Sequence, residues 1–185
     1  MLHKTNLFTT DKKQRLLHVA PEEIFYRKFS QSNNIDYVPC AKFGDEYPDL
    51  YPAGTINIDI TAIDLPDDNF DVIYCSHVLE HIPDDAKAMQ ELRRVLKPGG
   101  WAMLQVPLDI SRATTYEDFT ITKPEERELA FGQNDHVRVY GNDYKLRLEA
   151  AGFIVNQIKY TESFTANELF RYGFLKGEDI FICTK

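Results

Sequence analysis

One stretch of the chain, residues 69–107, constrains the fold more than any other. Its first part, Phe70–Cys75, is apolar and rich in residues that favour strands, which predicts a strand buried on both faces. Asp84 then suits the N-cap of a helix, because its carboxylate can accept a hydrogen bond from a free backbone N–H. That helix should end at Lys-Pro-Gly-Gly, residues 97–100, since proline cannot continue it and glycine accepts a positive φ. A second strand, Trp101–Val106, follows, so the stretch predicts one half of a doubly wound α/β sheet.

The motifs of this stretch resemble those of class I S-adenosylmethionine-dependent methyltransferases. They are Phe-Asp at residues 70–71, Val-Leu-Glu-His at residues 78–81 and Val-Leu-Lys-Pro-Gly-Gly at residues 95–100. Periodicity alone would indicate only an α/β fold. The resemblance implies a Rossmann-like, doubly wound fold, with a mostly parallel seven-stranded sheet, an antiparallel edge strand and helices on both faces. It also implies that S-adenosyl-L-methionine is the cofactor.

The other predicted elements continue the α/β pattern along the chain. Its 185 residues suffice for one well-buried domain but not for two ordinary ones, so we expect a single methyltransferase-like domain over residues 1–185. Residues 108–139 interrupt the alternation of strands and helices and are the expected lid or substrate loop. A helix should follow Asn142-Asp143 and end at Gly152. The remaining elements are a helix at 21–29 and strands at 15–20, 35–38, 55–60, 153–160 and 179–184.

Charge and cysteine content argue against several classes of function. The formal net charge is −8, with 29 acidic against 21 basic residues, so the surface should repel the phosphate backbone of a nucleic acid. No apolar stretch is long enough to cross a bilayer, and the first residues lack the apolar core of a secretory signal. The scattered Cys40, Cys75 and Cys183 argue against disulfides or a zinc site. We therefore expect a cytoplasmic protein with a small-molecule acceptor, no membrane association and no bound metal.

The turn after the first strand departs from the resembled family. Ligands of open α/β sheets bind beyond the carboxyl ends of the strands, so this turn should contact the cofactor. The family has an acidic residue and a glycine-rich turn here, whereas residues 18–22 read His-Val-Ala-Pro-Glu. In one interpretation the turn is a variant, in which Glu22 accepts a hydrogen bond from the cofactor's ammonium group. In the other, His18 is a core histidine and the site is degraded. The variant predicts four cofactor-binding residues in this turn: His18, Ala20, Pro21 and Glu22.

The next two turns should hold the nucleoside. The resemblance implies that Asp59 accepts a hydrogen bond from the adenine edge and that Ile60 packs on the ring, although Asp59 would also suit a simple turn cap. The family usually ends its second strand with an acid for the ribose hydroxyls, and this chain has none there. Asp45 and Glu46 follow that strand closely enough to fold back.

Three histidines are candidate bases. Methyl transfer needs two reactants held in line and, for a hydroxyl or ammonium acceptor, removal of a proton. Histidine suits that task because it titrates near neutral pH. We predict that Ser76 and His77 lie under the sulfonium and that His77 and His136 are catalytic. His81 is the third candidate, but its counterpart in the resembled family is most often structural.

A polar and aromatic segment after the long loop should contact the acceptor. Arg138 could clamp a carboxylate or phosphate with its two-pronged guanidinium, or it could anchor the loop by a salt bridge to Asp135. Clustered aromatic residues could form a lid that excludes water, although isolated aromatic residues more often belong to a core. The lid residues would be Tyr116, Phe119, Phe131 and Tyr140, and the predicted substrate-binding residues are Tyr116, Arg138 and Tyr140.

The sequence thus predicts an S-adenosylmethionine-dependent methyltransferase that acts on oxygen or nitrogen of a small-molecule acceptor. The glycine-poor first turn and the missing ribose acid favour an alternative: a non-catalytic, methyltransferase-like binding or regulatory protein with a degraded cofactor site. A dinucleotide-dependent oxidoreductase is disfavoured, because no Gly-x-Gly-x-x-Gly follows the first strand.

Overall fold

The structure, a computed structural model, describes Leu7, residues 11–43 and residues 51–185. Strands and helices alternate over most of these ranges, as the sequence predicts. In chain order they are β1 (Gln14–Val19), α1 (Glu23–Ser30), β2 (Ile35–Ala41), β3 (Ile56–Asn57), β4 (Phe70–Ser76), α2 (Asp85–Val95), β5 (Leu96–Gln105), β6 (Tyr116–Glu117), α3 (Pro124–Phe131), β7 (Arg138–Val139), α4 (Tyr144–Ala150), β8 (Ile154–Ile158), α5 (Ala166–Tyr172) and β9 (Ile180–Thr184). Short 3-10 turns lie at Leu79–His81 and Tyr160–Ser163.

The described strands form a seven-stranded sheet in the order β3-β2-β1-β4-β5-β9-β8. The first five strands along the chain pair in parallel, whereas β9 is antiparallel to both of its neighbours, β5 and β8. This confirms the predicted Rossmann-like, doubly wound fold with an antiparallel pair at one edge. The strand order reverses between β1 and β4, so a crevice for a ligand is expected beyond the carboxyl ends of these two strands.

Helices cover both faces of the sheet because side chains of successive strand residues point to opposite sides. Leu16 packs on the face of α1, together with Phe29 of that helix. Leu17 packs on the opposite face, with Met89 of α2 and Leu148 of α4. None of the helices in the described part of the chain combines the length and apolar character that a membrane span requires.

The unit β4-α2-β5 follows its prediction, except that β5 begins at Leu96, directly after α2, and includes residues 97–100, which the sequence predicts as a turn. Asp84 is the N-cap of α2, and its Oδ1 accepts a hydrogen bond from the backbone N–H of Lys87 at 3.0 Å. Elsewhere, β3 is shorter than the predicted strand 55–60, because Asp59 turns the chain. Its carboxylate accepts from the backbone N–H and the hydroxyl of Thr61, at 2.8 and 2.7 Å.

The segment 108–139, predicted as a loop, contains regular structure. Its strand β6 pairs antiparallel with β7, and α3 lies between them. The helix α4 follows Asn142-Asp143 as predicted, with Asp143 at its N-cap position, but the side chain of Asp143 makes no cap hydrogen bond to the helix. It accepts instead from the backbone N–H and the hydroxyl of Thr115, both at 2.7 Å, and so ties the start of β6 to α4.

A buried arginine holds the turn between β4 and α2. Arg138 is 1% exposed, and its Nε donates to Glu117 at 2.9 Å. Its terminal nitrogens donate to three backbone carbonyls of the turn, those of Leu79 and Pro83 at 2.9 and 2.8 Å and that of Ile82. Arg138 therefore satisfies carbonyl groups that would otherwise be buried without partners.

The same network continues to α4 through Asp85, which is 3% exposed. Its carboxylate accepts from the hydroxyl of Tyr140 at 2.7 Å and from Arg147 at 2.7 and 3.1 Å. Burial, and then the charge of Asp85, raises the pKa of Tyr140 above its ordinary value, so its hydroxyl stays a donor. The network joins β7, α2 and α4 around one turn.

We expect Arg138→Met to lower the free energy of unfolding by about 3 kcal/mol or more, because it leaves buried carbonyls and an acid without their partner. Urea denaturation followed by circular dichroism measures this. The control is Arg112→Met, whose guanidinium pairs with Asp109 at the surface and whose loss should change stability by less than about 0.5 kcal/mol. Equal effects of the two variants would contradict the structural role of Arg138.

Candidate active site

The histidine near the end of β1 points away from the crevice. His18 is fully buried, and its Nδ1 and Nε2 lie 2.8 Å from the hydroxyl of Tyr37 and 2.7 Å from Oε2 of Glu22. The rings of Phe29 and Tyr74 pack against it edge-on, with centroids 5.5 and 5.0 Å away. This geometry favours the core-histidine interpretation, and it engages Glu22 as the partner of His18.

Ala20 keeps the shape of a turn in which glycine is usual. Its φ is 50°, a left-handed conformation that costs an alanine on the order of 1 kcal/mol. Its backbone N–H donates to the carbonyl of Cys40 at 2.7 Å, which extends the pairing of β1 with β2 by one bond. Because the side chain is a single methyl group, the turn leaves space beyond β1.

That space is a cavity of about 290 Å³ beyond the carboxyl ends of β1, β2, β3 and β4, which we call the switch-point cavity. The predicted Ala20, Asp59 and Ile60 line it, whereas His18, Pro21 and Glu22 are not among the described residues in its wall. The side chains of the turn therefore do not fill it. Other described residues of the wall are Val19, Ala41, Lys42, Tyr51, Ile58, His77, Val78, His81, Ile82 and Asp135.

Asp59 is an ionised acceptor at the edge of this cavity. Its Oδ2 accepts from Nζ of Lys42 at 2.7 Å, while its Oδ1 caps the turn at Thr61. Hydrogen bonds from Lys42 and Thr61 lower the pKa of Asp59 to about 2. Both interpretations of this residue, turn cap and ligand contact, are compatible with its position. Asp45 and Glu46, the candidates for the ribose, lie outside the described residues.

His77 lies where three cavities meet. It lines the switch-point cavity, a second cavity of about 490 Å³ and a third of about 220 Å³. The second cavity, which we call the aromatic cavity, lies beyond β4 and β5 on the face of α1. Ser76 lines this aromatic cavity and is not among the described residues of the switch-point cavity. The backbone of His77 is strained, with φ at 54°, and its N–H donates to the carbonyl of Gln105 at 2.9 Å.

Glu80 is a buried carboxylate that faces His77. It is 1% exposed, and neither of its oxygens has a hydrogen-bond partner among the described residues within ordinary bonding geometry. Its Oε1 lies 3.5 Å from Nδ1 of His77, at ion-pair distance. Interaction with Glu80 raises the pKa of His77 above its ordinary value, and burial opposes this shift. The pair resembles a base and the carboxylate that orients it.

Comparison with known proteins shows what the central part of the chain resembles. Residues 22–104 match the family model described as "Methyltransferase domain", from the turn after β1 through most of β5. The matched part, slightly less than half of the chain, is similar to that family, in agreement with the resemblance of its motifs to class I methyltransferases. The match includes Asp59, His77 and Glu80, so these three candidate residues lie within the part of the chain that is similar to the family.

Individual relatives agree with this assignment. A ubiquinone biosynthesis O-methyltransferase of Paraburkholderia phymatum is 29% identical over 116 residues, which cover 60% of this chain and 47% of the relative, so the chain spans about half of that protein. An S-adenosylmethionine-dependent methyltransferase of Mesorhizobium loti matches in structure with a TM-score of 0.63, at 15% identity, over 100% of this chain and 96% of the other. A Haemonchus contortus phosphoethanolamine N-methyltransferase in complex with S-adenosyl-L-methionine matches with a TM-score of 0.62, at 14% identity, over 100% and 51%. The structural matches show the fold.

His136 is held beside His81 and is not among the described residues that line the aromatic cavity. Its ring packs edge-on against that of His81, with centroids 4.6 Å apart, and its Nδ1 lies 3.3 Å from the carbonyl oxygen of Phe131. It lines a fourth cavity of about 300 Å³ and is not among the described residues in the walls of the other three. The structure therefore does not bring His77 and His136 to one cavity, and the catalytic role of His136 stays a prediction.

Glu80, His81 and His136 place one ligand atom each within 4.8 Å of one another. A metal ion could bridge such a group, but each member has another role in the turn. Glu80 faces His77, Nδ1 of His81 lies 3.1 Å from Asp135, and His136 faces a carbonyl. We assign no metal to it, and the expectation of a metal-independent enzyme stays a prediction.

The residues predicted to bind substrate belong mainly to the structural network. Arg138 donates a hydrogen bond to Glu117, and Tyr140 donates one to Asp85. Asp135, the predicted partner of Arg138, pairs with His81 instead. This geometry favours the anchoring role of Arg138 over the clamp. Tyr116, whose ring lies 5.6 Å from that of Phe131, is partly exposed on β6.

Sequence reasoning missed the aromatic residues that close the second cavity. Tyr160 and Phe174 line it, and Phe164 packs on both rings with centroid distances of 5.2 and 5.4 Å. The sequence feature that could have revealed them is the high density of aromatic residues between positions 160 and 174. That segment was interpreted only as a connection between the last two strands.

We expect Asp59→Ala to weaken binding of S-adenosylhomocysteine about 10-fold or more, because a carboxylate that bonds the adenine edge contributes on the order of 1.5–3 kcal/mol. Isothermal titration calorimetry measures the affinity, and thermal unfolding checks that the turn survives. Asp67→Ala is the control, since this acid pairs with Arg94 at the surface. A larger effect of His136→Ala than of Asp59→Ala would contradict the adenine role of Asp59.

Proposed function

We propose that this chain is an S-adenosylmethionine-dependent methyltransferase that acts on oxygen or nitrogen of a small-molecule acceptor, with His77 as the base. The observation that carries the proposal is the position of His77, which borders both the switch-point cavity and the aromatic cavity and is backed by the buried Glu80. The relative from Paraburkholderia phymatum, named for O-methyl transfer in ubiquinone biosynthesis, supports an oxygen acceptor.

The residues of the switch-point cavity fit the cofactor. Ile58 and Ile60 offer apolar surface for a ring, beside the ionised Asp59 as an acceptor for an exocyclic amine. The charges of Glu80, Glu178 and Glu22 all raise the pKa of His77, so this part of the site has a negative potential. Such a potential suits a ligand with a sulfonium and an ammonium group.

The chain has to supply positioning and the removal of one proton. S-adenosylmethionine, when bound, supplies a methyl group on a positively charged sulfur, which already activates the carbon. An acceptor in the aromatic cavity loses its O–H or N–H proton to Nε2 of His77, since Nδ1 faces Glu80. The acceptor would then be the nucleophile for the methyl group of a cofactor held by the switch-point cavity, whose sulfur would keep the electron pair of the broken carbon–sulfur bond.

Glu80 acts on the reaction through His77. Its carboxylate holds the ring orientation and stabilises the imidazolium that forms when the proton is taken up. The side chain of His77 is 54% exposed, so the proton can afterwards leave to solvent. Glu80 is thus a positioning residue, and His77 is the catalytic one.

The non-catalytic alternative is favoured by two observations, at the turn after β1 and at the end of β2. His18 replaces the usual acid and is buried, and the end of β2 carries Lys42 where an acid usually meets the ribose. Isothermal titration with S-adenosylhomocysteine separates the two functions. A dissociation constant in the micromolar range supports the enzyme, whereas no binding at millimolar ligand supports the scaffold.

We expect His77→Gln to lower turnover about 10²- to 10⁴-fold, the usual contribution of a general base, and to leave S-adenosylhomocysteine affinity within about twofold. The assay follows release of S-adenosylhomocysteine with an acceptor selected from a panel of phenols and amines. His136→Gln is the matched comparison and should retain most of the activity. If the losses were exchanged between the two variants, His136 would be the base.

We expect Glu80→Gln to move the acidic limb of the kcat/KM profile to lower pH. His77 must be neutral to accept a proton, so activity disappears as the pH falls through its pKa. Glu80 raises that pKa, and removing the charge lowers it. Glu178→Gln should give a smaller shift in the same direction, because its charge contributes less to the pKa of His77. An acidic limb that is identical in wild type and Glu80→Gln would contradict the pairing.

A further inference from the structure

The aromatic cavity has the size and lining of a small-molecule site. Its volume of about 490 Å³ lies within the ~300–1,000 Å³ that is usual for such sites. Among the described residues of its wall, Phe25, Tyr74, Tyr160 and Phe174 contribute six-membered aromatic rings. Rings of this kind favour flat, apolar ligands, because they offer offset and edge-to-face packing in addition to burial of apolar area.

The rings are held in place by contacts among themselves. Phe25 and Tyr74 lie with centroids 4.9 Å apart on the side of α1 and β4. Tyr160 and Phe174, 5.8 Å apart, come from the segment that joins β8 and β9, and Phe164 supports both. A site whose walls are already packed loses little conformational entropy when a ligand binds.

One end of the cavity is polar. Gln105 is 8% exposed, and its Nε2 donates to the carbonyl of Asp179 at 2.8 Å, but its Oε1 has no hydrogen-bond partner among the described residues. A buried acceptor without a partner is unfavourable, and a hydroxyl or amine of a ligand would satisfy it. Gln105 and His77 line the same cavity, and the backbone N–H of His77 donates to the carbonyl of Gln105 at 2.9 Å, so this ligand donor would lie near His77.

The charges of the wall disfavour an anionic ligand near the base. Glu178 lines the cavity, and Glu80 and Glu22 act on His77 with the same sign. Lys28 is the cation of the wall, on α1, and it has interactions of its own within the protein. A phosphate or carboxylate placed beside His77 would therefore meet mainly like charges.

We propose that the aromatic cavity is the acceptor site, and that the acceptor is an uncharged aromatic molecule with a hydroxyl or amine on its ring, of the phenol or arylamine class. The ring packs among the aromatic side chains. Its donor group bonds Oε1 of Gln105 when the acceptor binds and turns to Nε2 of His77 when the proton is transferred. This inference rests on the proposed function, and it excludes sugar-like and phosphorylated acceptors.

Calorimetry with three probes tests the class of acceptor. The whole chain, saturated with S-adenosylhomocysteine, is titrated with 2-naphthol, 2-naphthyl phosphate and methyl glucoside. We expect 2-naphthol to bind at least ~10-fold tighter than its phosphate, because the phosphate adds charge to the same ring. Methyl glucoside, which has hydroxyls but no apolar ring, should bind at least ~10-fold more weakly than 2-naphthol as well.

A matched pair of variants locates the site. Phe174→Ala removes a ring of the wall and should weaken 2-naphthol binding by ~10-fold, with unchanged affinity for S-adenosylhomocysteine as evidence that the fold is intact. Phe170→Ala is the control, since this phenylalanine of α5 is 91% exposed and should leave 2-naphthol binding unchanged. Equal effects of the two variants would overturn the assignment of the cavity.

The outcomes separate this inference from the proposed function. If methyl glucoside or 2-naphthyl phosphate bound more tightly than 2-naphthol, the acceptor class would be wrong, while binding of S-adenosylhomocysteine would still support the methyltransferase. If the unmodified chain did not bind S-adenosylhomocysteine at all, both the methyltransferase and the acceptor role of the cavity would be overturned. Preferential binding of 2-naphthol, lost in Phe174→Ala only, supports the inference.

Discussion

The turn between β4 and α2 depends on the buried guanidinium of Arg138. A turn inside a protein leaves backbone carbonyls that need donors, and each one left unpaired would cost free energy. Arg138 donates to three of them, and Glu117 balances its charge. Because this turn carries Glu80, the same network sets the carboxylate opposite His77. The contacts of Arg138 therefore stabilise the turn and at the same time position the carboxylate that faces His77.

Two non-glycine residues with positive φ flank the switch point of the sheet. They are Ala20 after β1 and His77 after β4, with φ values of 50° and 54°. In both, the backbone N–H donates to a carbonyl of the neighbouring strand, Cys40 in β2 and Gln105 in β5. These bonds offset part of the conformational cost, on the order of 1 kcal/mol for each residue. The strained turns are thus built into the sheet, which keeps the two walls of the cavities at fixed positions.

The sequence predicted the elements whose signals are local and missed partners that are distant along the chain. Strand β4, the cap at Asp84 and the end of α2 follow from patterning and capping, which act within a few residues. For Arg138 the sequence offered Asp135 as a neighbouring acid, yet the partner is Glu117, 21 positions away. That choice depends on the antiparallel pairing of β6 and β7, which lies in a segment interpreted as a loop. Which side chains pair with each other in a site depends on the tertiary fold, and patterns within a few residues of the sequence do not determine it.

The alternating side-chain directions of β1 explain why His18 does not take the place of the acid that the resembled family has at this turn. Successive residues of β1 alternate between the faces, and Leu17 and Val19 belong to the core on the side of α2 and α4. His18 must therefore point to the side of α1, where it bonds Tyr37 and Glu22. The exchange of the usual acid for histidine removes an acceptor from the site, but it does not fill the switch-point cavity. Under the proposed function, binding at this cavity would depend on Asp59 after β3 and on the negative potential around His77, rather than on the turn that such sheets normally use.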